Sequence, residues 1–368
     1  MTLQAALICL LAQPAVSAER LKFERLDADL QRMAQINQMP GLAVGIVSHG
    51  QLVHARGFGR TRFTGGAPIT PRTLFHAASI TKTLVAAAVM QLKERGAVDL
   101  NNPIDRYLPY FHLADPRAAG ITVLQLLTHT SGMPDVADYG WDRPEFDDRS
   151  LERYVRSLGN ERLIAAPGTR YFYSNMAFEV LGDLVAKVSG TSFEDEVRKN
   201  ILIPAGMSSS TLFFPSGRGD RTLAAIAATG YVKDTSGRPV PAADYPYNRM
   251  HTPSSDLATN IVDLAKWAII NLNGGRTAGG RILTAADQED MWRARMSTGS
   301  GAEVGITWFL SSYRGLRTVG HSGSDAGFHS NLVMIPSRSI AVIYLANCNY
   351  DPREEFTDVL LDAALRRE

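Results

Sequence analysis

The alternation of apolar and polar positions predicts β-strands near both ends of the chain. Residues 41–60, GLAVGIVSHGQLVHARGFGR, contain two runs rich in valine, leucine and isoleucine around a His-Gly pair, and this pattern predicts a β-hairpin. Towards the other end, residues 316–323, 330–336 and 340–348 are apolar runs separated by glycine, proline and serine. They predict three further strands.

Helical periodicity dominates the middle of the chain and also flanks the predicted strands. A polar helix is predicted around residues 24–37 and an amphipathic helix over residues 353–367. Between roughly residues 100 and 223 most signals are helical. Two helical segments there, residues 121–132 and 177–190, each end in a glycine that suits a helix C-cap.

This order of elements predicts an α/β (α+β) fold with one antiparallel sheet built from both chain ends, flanked by helices, and with a helical region inserted. We expect a single compact unit over residues 19–368. Its α/β part would take roughly residues 19–78 and 224–368, and its helical part roughly residues 79–223. No repeat of 20 to 50 residues and no low-complexity linker divides the chain.

Composition and charge are those of an ordinary soluble globular protein. The chain has 368 residues, of which 45% are hydrophobic and 20% charged, and its formal net charge is +1. Lysine and arginine are scattered along the chain. We therefore expect no nucleic-acid partner, because nucleic-acid binding needs a basic patch or stripe.

The N-terminal segment resembles a secretory signal. Residues 5–16, AALICLLAQPAV, are too few to span a bilayer, and small residues follow as far as Ala18. This predicts a signal peptide over residues 1–18 and an exported protein, periplasmic or secreted, with no transmembrane segment after cleavage. The alternative is a frayed N-terminal helix, because the first residues, MTLQ, lack the positive charge usual in a signal peptide. Cleavage would remove Cys9 and leave Cys348, which alone forms neither an internal disulfide nor a zinc site.

The first chemical signal is a serine and a lysine in an apolar helix. Ser79 and Lys82 share one helical face within residues 76–92, HAASITKTLVAAAVMQL. The helical neighbours of Lys82 offer no carboxylate, so burial would lower its pKa and leave a neutral amine near pH 7 beside a hydroxyl. That pair is a base beside a nucleophile. The alternative is a serine in the first helical turn with a lysine that extends to the surface.

The second signal is a tyrosine and an asparagine just before a helix. Tyr173 and Asn175 bracket one residue within residues 167–182, PGTRYFYSNMAFEVLG, so in an extended segment both side chains project the same way. A tyrosine near a cation can lose its proton below its reference pKa of about 10 and act as a general base. Asn175 can donate to a substrate carbonyl and accept from a lysine. The alternative is an aromatic cluster at a helix N-terminus, with Asn175 as the cap.

The third signal is the glycine-rich strand over residues 318–336, TVGHSGSDAGFHSNLVMIP. It carries His321, and Gly323 leaves room for close backbone approach, so an extended substrate can pair with the strand edge. The backbone N–H of Ser324, together with that of Ser79 at its helix N-terminus, would supply two donors for an oxyanion.

Two other interpretations of this third segment remain open. One is a glycine-rich turn with an incidental surface histidine. The other is a metal site, for which His321, His329 and Asp325 would be the ligands. The metal site is the weaker of the two, since no further ligand lies at a useful spacing.

In chain order, SITK, YSN and HSG resemble the SxxK, YxN and Lys/His-x-Gly motifs of the penicillin-recognising serine hydrolases. The closest resemblance is to the class C β-lactamase-related group, which also contains family VIII esterases and DD-peptidases. LLTHTSGMP at residues 126–134 and GHSGSDAGF at residues 320–328 are similar to runs of that group. The resemblance covers essentially all of the chain after the predicted signal, and it implies a β-lactamase/transpeptidase-like sandwich with a helical domain beside it.

The resemblance also implies roles for the motif residues. Ser79 would be the acylated nucleophile and Lys82 its hydrogen-bonded activator. Tyr173 would relay the proton to the leaving group and then activate the deacylating water. Asn175 would orient the substrate and Lys82.

On the strand, the resemblance implies that His321 and Gly323 line the substrate, while the backbone N–H groups of Ser79 and Ser324 form the oxyanion hole. It implies no metal and no organic cofactor. The partner would be a small-molecule ester, a peptide or a β-lactam-like compound, and the oligomeric state does not follow from the motifs.

Two departures from the class C pattern bear on the substrate. Class C β-lactamases have a lysine at the position of His321, and a glutamine soon after the GLP run, where this chain has MPDVAD. We therefore expect weak or no β-lactamase activity, and hydrolysis of carboxylic ester or D-residue amide bonds instead. A histidine of ordinary pKa, about 6.5, would gain charge near pH 6 and then attract a substrate carboxylate.

Two alternatives concern the whole protein. The first is a penicillin-binding scaffold or sensor that is acylated, or binds peptidoglycan stems, without turnover. The second is an α/β-hydrolase, but GHSGS at residues 320–324 lacks the last glycine of a GxSxG elbow, and no regular alternation of strands and helices predicts a parallel sheet.

Overall fold

The computed structural model describes residues 18–213 and 221–366. Apart from Ala18, the predicted signal peptide lies outside the described residues, and so does Cys9. Ala18 is the first residue of a helix that continues to Ile36, so the helix predicted around residues 24–37 begins earlier than expected.

Eleven α-helices and fourteen β-strands are found in the described part of the chain. The helices are α1 (Ala18–Ile36), α2 (Thr81–Glu94), α3 (Val123–Leu127), α4 (Ser150–Ser157), α5 (Asn175–Ser189), α6 (Phe193–Val197), α7 (Arg221–Ile226), α8 (Thr252–Ser255), α9 (Ile261–Leu272), α10 (Ala285–Met291) and α11 (Arg353–Leu365). The strands are β1 (Gly41–Ser48), β2 (Gln51–Gly59), β3 (Phe75–His76), β4 (Tyr231–Lys233), β5 (Pro239–Pro241), β6 (Ala258–Thr259), β7 (Arg276–Thr277), β8 (Gly280–Arg281), β9 (Met296–Ser297), β10 (Glu303–Val304), β11 (Phe309–Tyr313), β12 (Leu316–Asp325), β13 (Phe328–Ile335) and β14 (Ile340–Ala346).

Eight of these strands form one antiparallel sheet in the order β2-β1-β14-β13-β12-β11-β10-β9. Strands β1 and β2 pair across the turn at residues 49–50, so the predicted hairpin is confirmed. Strand β1 also pairs with β14, where Val44 lies opposite Tyr344, and this pairing joins the two ends of the chain. The predicted antiparallel sheet from both chain ends, with flanking helices, is therefore confirmed.

Both faces of the central strands are covered. Leu42, Val44 and Ile46 of β1 pack in a core that also contains residues of α1 and α11, whereas Ala43 and Val47 belong to the core on the other face, which includes α9. This division follows from the alternation of side chains along a strand. It explains why every position of β1 and of β14 is buried.

The helical region packs around α2, which is buried nearly all round, as its apolar sequence predicts. Helix α5 lies against α2 and ends at Gly190, whose left-handed backbone conformation confirms the predicted C-cap. The cap predicted at Gly132 is wrong, because α3 ends five residues earlier, at Leu127. His129, two residues after Leu127, has φ of +54°, and this left-handed conformation ends the helix.

Among the described residues, no helix combines the length and the apolar character needed to cross a bilayer. Cys348 is buried and is a free thiol. Burial raises its pKa well above the usual range, so it is not a reactive thiolate.

Candidate active site

Ser79 lies in a turn of 3-10 helix, residues 78–80, that leads directly into α2. The preceding residue, Ala78, has φ of +46°, a left-handed conformation that costs a non-glycine residue of order 1–3 kcal/mol. The turn is held from the helix side, since the Thr81 hydroxyl donates to the Ala78 carbonyl at 2.6 Å and accepts from the Leu257 N–H at 3.0 Å. Ser79 itself remains partly exposed.

Strand β12 runs directly against this turn at Gly323. A Cβ atom on Gly323 would lie 2.3 Å from the Ala77 carbonyl oxygen and 2.9 Å from the Ala78 Cβ. The Ser330 hydroxyl on the neighbouring strand donates to the same Ala77 carbonyl at 2.7 Å. The close backbone approach expected at Gly323 is thus made by the turn that carries the nucleophile candidate, and any larger residue would push the two apart.

Lys82 is completely buried, so the alternative in which it extends to the surface is wrong. Its Nζ donates to Ser79 Oγ at 2.9 Å, to Asn175 Oδ1 at 2.5 Å and to the Ser254 carbonyl at 2.7 Å. These three acceptors use all the donors of an ammonium group. Burial lowers the pKa of Lys82 to about 8.

Carboxylates distant in the sequence surround Lys82 and limit this fall in its pKa. The charges of Glu179, Asp325 and Asp135 all raise the pKa of Lys82, against the larger effect of burial. With a pKa of about 8, Lys82 is mainly an ammonium at pH 7. The expectation of a neutral amine near pH 7 is therefore wrong, because it considered only helical neighbours.

Tyr173 lies beside Ser79 and Lys82 and is partly buried. The Lys82 Nζ lies over the ring of Tyr173, 5.0 Å from its centroid, and a hydrogen bond with Ser79 lowers the pKa of the phenol. Burial has the larger effect and raises the pKa of Tyr173 well above its usual value. The expected lowering of this pKa is wrong, so Tyr173 is a neutral phenol in the free protein.

The ring of His129 packs against the ring of Tyr173, and the sequence analysis did not identify His129 as part of the site. Its ring stacks on Tyr173 at 4.3 Å and lies 5.0 Å from the ring of Phe178. Its Nδ1 accepts from the Ser174 N–H at 3.1 Å. Burial holds the pKa of His129 well below the usual value, so it is neutral. Its position in the THTSG run was the available signal.

Asn175 is the first residue of α5 and does not cap that helix. The cap is Ser174, whose Oγ accepts from the Ala177 N–H at 3.1 Å, so the alternative with Asn175 as cap is wrong. The carboxylate of Asp135 holds Asn175 in place, accepting from its backbone N–H at 2.8 Å and from its Nδ2 at 2.9 Å. Asp135 lies in the MPDVAD segment, and the sequence pattern did not predict this contact.

His321 lies on β12 and is buried, so the alternative of an incidental surface histidine is wrong. Its Nδ1 donates to the Ser322 carbonyl at 2.7 Å. Burial, and to a smaller extent the positive charges of Lys82 and Arg353, lower the pKa of His321 to about 3. His321 is therefore neutral at pH 6 as well as at pH 7.5, and the expectation that it gains charge near pH 6 is wrong.

The residues of the weaker metal interpretation have separate partners. His329 Nδ1 bonds to the Asp351 carboxylate at 2.8 Å. Asp325 accepts from His76 Nε2 at 2.7 Å. In the described ranges, no group of histidine, cysteine, aspartate and glutamate side chains is arranged to hold a metal ion.

One edge of β12 is open beside Ser79. Strand β11 pairs with β12 only as far as Gly320, which lies opposite Phe309. On the other side, β13 pairs with β12 as far as Asp325. Within the described residues, positions 321–325 therefore have a ladder partner on one side only. Ser324, the residue expected to supply an oxyanion donor, belongs to this stretch.

A serine, a buried lysine and a tyrosine meet at the start of a helix, beside an open strand edge, and this arrangement matches the motif order in the sequence. The family model described as Beta-lactamase matches residues 26–366. The chain belongs to the Beta-lactamase family. The resemblance to penicillin-recognising hydrolases is thereby confirmed.

Individual Beta-lactamase relatives are distant in sequence but similar in fold. The chain is 29% identical over 328 residues to the unguisins hydrolase ungD' of Aspergillus campestris, covering 85% of this chain and 59% of that protein. The solved octameric penicillin-binding protein homologue from Pyrococcus abyssi matches with a TM-score of 0.81 and 28% identity, over 94% of this chain and 77% of that one. A class C beta-lactamase structure matches with a TM-score of 0.77 and 21% identity, over 95% of this chain and 98% of that chain.

These matches agree with the antiparallel sheet of the Beta-lactamase family member described here. The α/β-hydrolase alternative is wrong, because that fold needs a mainly parallel sheet with regular strand-helix alternation. The chain spans 59% of the length of the unguisins hydrolase.

Proposed function

We propose that this Beta-lactamase family member is a serine hydrolase that forms an acyl-enzyme on Ser79. It hydrolyses carboxylic ester or D-residue amide bonds and has weak or no β-lactamase activity. The observation that carries this proposal is the 2.9 Å contact from Lys82 Nζ to Ser79 Oγ, made by a buried lysine whose pKa is lowered to about 8. A lysine of that pKa is partly deprotonated at neutral pH and can accept a proton from a hydroxyl.

In acylation, the neutral fraction of Lys82 takes the proton of Ser79 as the serine oxygen bonds to the substrate carbonyl carbon. The neutral phenol of Tyr173 then gives its proton to the leaving alkoxide or amine as the bond to that group breaks. The proton that Lys82 took from Ser79 then passes to Tyr173 and restores its neutral phenol. The raised pKa of Tyr173 supports its role as the acid in this step.

In deacylation, a water molecule attacks the acyl carbon, and Tyr173 takes the proton of the water as it passes its own phenolic proton to the neutral amine of Lys82. The bond to Ser79 breaks, and the serine oxygen recovers a proton from the same pair. The backbone N–H groups of Ser79 and Ser324 stabilise the oxyanion in both steps. The open edge of β12 from residue 321 onward supports pairing with an extended substrate.

The proposed low β-lactamase activity follows from the absence of a positive charge on His321. β-Lactam drugs carry a carboxylate, and the class C pattern places a lysine at this position. His321 is neutral across the usual assay range because burial lowers its pKa to about 3. It therefore offers a substrate carboxylate no positive charge. Binding of neutral esters and amides is not weakened by a neutral His321, because these substrates have no carboxylate to attract.

Two features of the chain as a whole belong to the same proposal. The α/β part takes roughly residues 19–78 and 224–368, and the helical part roughly residues 79–223. Residues 1–18 act as a signal peptide that directs export to the periplasm or the medium. Intact mass of the protein from its native host tests the second point, because a full-length product that keeps Met1 or Thr2 contradicts export.

Labelling with a fluorophosphonate probe, followed by peptide mapping, tests the acyl-enzyme. We expect label on Ser79 and none in the variant Ser79→Ala. Label on Ser131, Ser174 or Ser322 that persists in Ser79→Ala overturns the proposal. Initial rates on p-nitrophenyl esters, nitrocefin and D-alanyl peptides then rank the substrates. A burst without turnover on all three identifies a penicillin-binding scaffold or sensor instead.

We predict that Lys82→Ala and Tyr173→Phe each lower kcat by about 10² to 10⁴, the range for a general acid-base group. Steady-state kinetics on a p-nitrophenyl ester measure the loss. Thermal unfolding of each variant serves as the control, since a large fall in the unfolding midpoint attributes the loss to the fold. A variant that keeps the fold and at least a tenth of the wild-type kcat removes that residue from the mechanism.

A further inference from the structure

A buried cluster of three polar side chains lies next to the site and takes no part in the proposed chemistry. The carboxylate of Asp325, the last residue of β12, accepts from His76 Nε2 at 2.7 Å, and the same oxygen, Oδ2, accepts from the Ser255 hydroxyl. We propose that Asp325 is a positioning residue for the oxyanion hole. The bonds to its carboxylate fix the backbone N–H of Ser324 relative to Ser79. This inference rests on the proposed serine hydrolase function and deepens it.

The segment of residues 76–79 ends in the nucleophile and holds Ser324 from both sides. On one side, Gly323 packs against this segment, because a Cβ there would lie 2.3 Å from one of its carbonyl oxygens. On the other side, Asp325 bonds to His76, the first residue of the segment. Side chains alternate along a strand, so positions 323 and 325 face the same way. The peptide of Ser324 between them therefore has little freedom to shift relative to the nucleophile.

Ser255 extends the cluster to the lysine side of the site. It ends helix α8, and the carbonyl of the preceding residue, Ser254, accepts from Lys82 Nζ at 2.7 Å. One short helix thus bonds to the proposed base through one residue and to Asp325 through the next. The oxyanion strand and the base are therefore held by the same element.

The surroundings of the cluster strengthen its hydrogen bonds. His76 is fully buried, and the side chain of Asp325 is 11% exposed. The rings of Tyr245 and Phe328 each lie with their centroids 5.7 Å from that of His76. Hydrogen bonds to a carboxylate are stronger where water is excluded. The carboxylate of Asp325 is therefore anchored more firmly than an exposed side chain would be.

Serine, histidine and aspartate are also the residue types of a catalytic triad, but the geometry here excludes a second hydrolytic site. In a triad the serine and the carboxylate bond to different nitrogens of the histidine. Here Ser255 Oγ and Asp325 Oδ2 both lie against His76 Nε2, at 3.3 and 2.7 Å. His76 Nδ1 is buried and has no partner among the described residues. The three side chains thus hold one another and do not activate a nucleophile.

The charge of Asp325 has a second effect on the rate, and its sign is opposite. This charge raises the pKa of Lys82, so its removal would leave more neutral amine near pH 7 and speed the reaction there. Loss of positioning slows the reaction at every pH. At about pH 9, above the Lys82 pKa of about 8, the amine is mainly neutral with or without Asp325, so kcat there reports positioning.

The variant Asp325→Asn tests the proposal because it keeps the size of the side chain and replaces one acceptor oxygen by a donor. We expect kcat for a p-nitrophenyl ester at about pH 9 to fall about 10- to 100-fold, as for a displaced oxyanion donor. KM should change less than about threefold, since the donor acts on the transition state. Ser255→Ala removes one of the two donors to the carboxylate and should lower kcat about three- to tenfold, the range of one hydrogen bond.

The carbonyl stretching band of the acyl-enzyme measures the oxyanion hole directly. A slowly hydrolysed ester is trapped on Ser79, and the infrared difference between forms with and without an isotopic label on the carbonyl carbon isolates this band. Donors in the oxyanion hole weaken the C=O bond. A displaced Ser324 N–H should therefore move the band to higher wavenumber in Asp325→Asn. Loss of stability without displacement of the donor leaves the band in place.

His329→Asn is the matched control, because it also removes a bond between a histidine and a carboxylate. His329 lies opposite Ser324 in the ladder and bonds to Asp351 at 2.8 Å. The next residue, Ser330, donates to the segment of residues 76–79, so the side chain of His329 points to the other face of the sheet. We expect kcat, KM and the carbonyl band to stay at their wild-type values.

The inference is overturned if folded Asp325→Asn keeps the wild-type band or the wild-type kcat at about pH 9, or if His329→Asn shifts the band as far. If Asp325→Asn does not fold, Ser255→Ala decides by the same band, and an unshifted band again overturns the inference. Absence of any acyl group on Ser79 in the wild type contradicts the proposed hydrolase function itself, so the two failures are distinguishable.

Discussion

At the residue scale, burial and nearby carboxylates act on the pKa of Lys82 in opposite directions, and this balance underlies its proposed role as the base. Burial alone would make it a neutral amine, while Glu179, Asp325 and Asp135 favour its ammonium form, and the balance gives a pKa of about 8. Tyr173 and His321 have no comparable compensation. Burial therefore keeps both of them neutral in the free protein.

We predict that kcat/KM for a neutral ester rises with pH between 6 and 9, with an apparent pKa near 8. The reason is that Lys82, whose pKa is about 8, must lose its proton to accept one from Ser79. Glu179→Gln should move this apparent pKa downward, because one carboxylate that stabilises the ammonium is lost. A pH profile of each protein measures the shift. An unchanged profile in Glu179→Gln would show that Lys82 is not the titrating group.

A second prediction at this scale concerns His321. Because its pKa is about 3, the ratio of kcat/KM for a carboxylate-bearing ester to that for a neutral ester should be constant from pH 6 to 7.5. His321→Lys should raise this ratio at pH 7.5 by about fivefold or more, through one charge-assisted contact. The ratio cancels losses that both substrates share. A ratio that climbs as the pH falls towards 6 in the wild type would mean that His321 titrates there.

At the scale of elements, the site depends on the contact between strand β12 and the turn at residues 78–80 that carries Ser79. Gly323 allows this contact, and the bonds of Thr81 and Ser330 hold the turn from two directions. Helix α5 contributes through its first residue, since Ser174 caps the helix and frees Asn175 for Lys82. The geometry of Ser79 is therefore set by three elements that are far apart in sequence.

We predict that Gly323→Ala lowers both stability and activity. The added Cβ would lie 2.3 Å from the Ala77 carbonyl, so the strand and the turn must separate, at a cost of about 1–3 kcal/mol for overpacking. Separation also moves Ser324 away from Ser79, which should lower kcat at least tenfold. Gly279→Ala is the matched control, because a Cβ there meets nothing within 4 Å. Wild-type kcat in a stable Gly323→Ala protein would refute the contact as drawn.

At the scale of the whole molecule, the sheet separates the site from a second core. Residues of α1, α11 and one face of β1 and β14 form that core, and α2, α5 and α9 belong to the core on the site's face. Stability and catalysis are thus partly separable. Changes in the core of α1 and α11 reach Ser79 only through the sheet.

We predict that Leu360→Ala, in α11, lowers the free energy of unfolding by about 2–5 kcal/mol, the usual cost of such a cavity. Chemical denaturation measures the loss. At temperatures where the variant stays folded, kcat and KM should be close to wild type. Glu355→Ala, at an exposed position of the same helix, is the control. A folded Leu360→Ala protein with a large change in kcat would contradict the separation of the two cores.

The sequence by itself determined the features that depend on near neighbours in the chain. Period-two alternation predicted the hairpin and the three C-terminal strands, the apolar run predicted a buried α2, and the order of SITK, YSN and HSG pointed to the family. The end of α3 was mispredicted because His129 takes up the left-handed conformation that ends the helix, with φ of +54°, and a preference for glycine at such a position does not indicate a histidine there.

Only the tertiary structure decided the electrostatics of the site. The groups that set the protonation of Lys82, Tyr173 and His321 come from segments far apart in the chain, and the degree of burial depends on how those segments pack. Asp135 lies forty residues before Asn175, so no local sequence pattern predicts their contact. Desolvation and charge-charge interactions act through space, and for this reason the motifs predicted which residues meet but not which protons they hold.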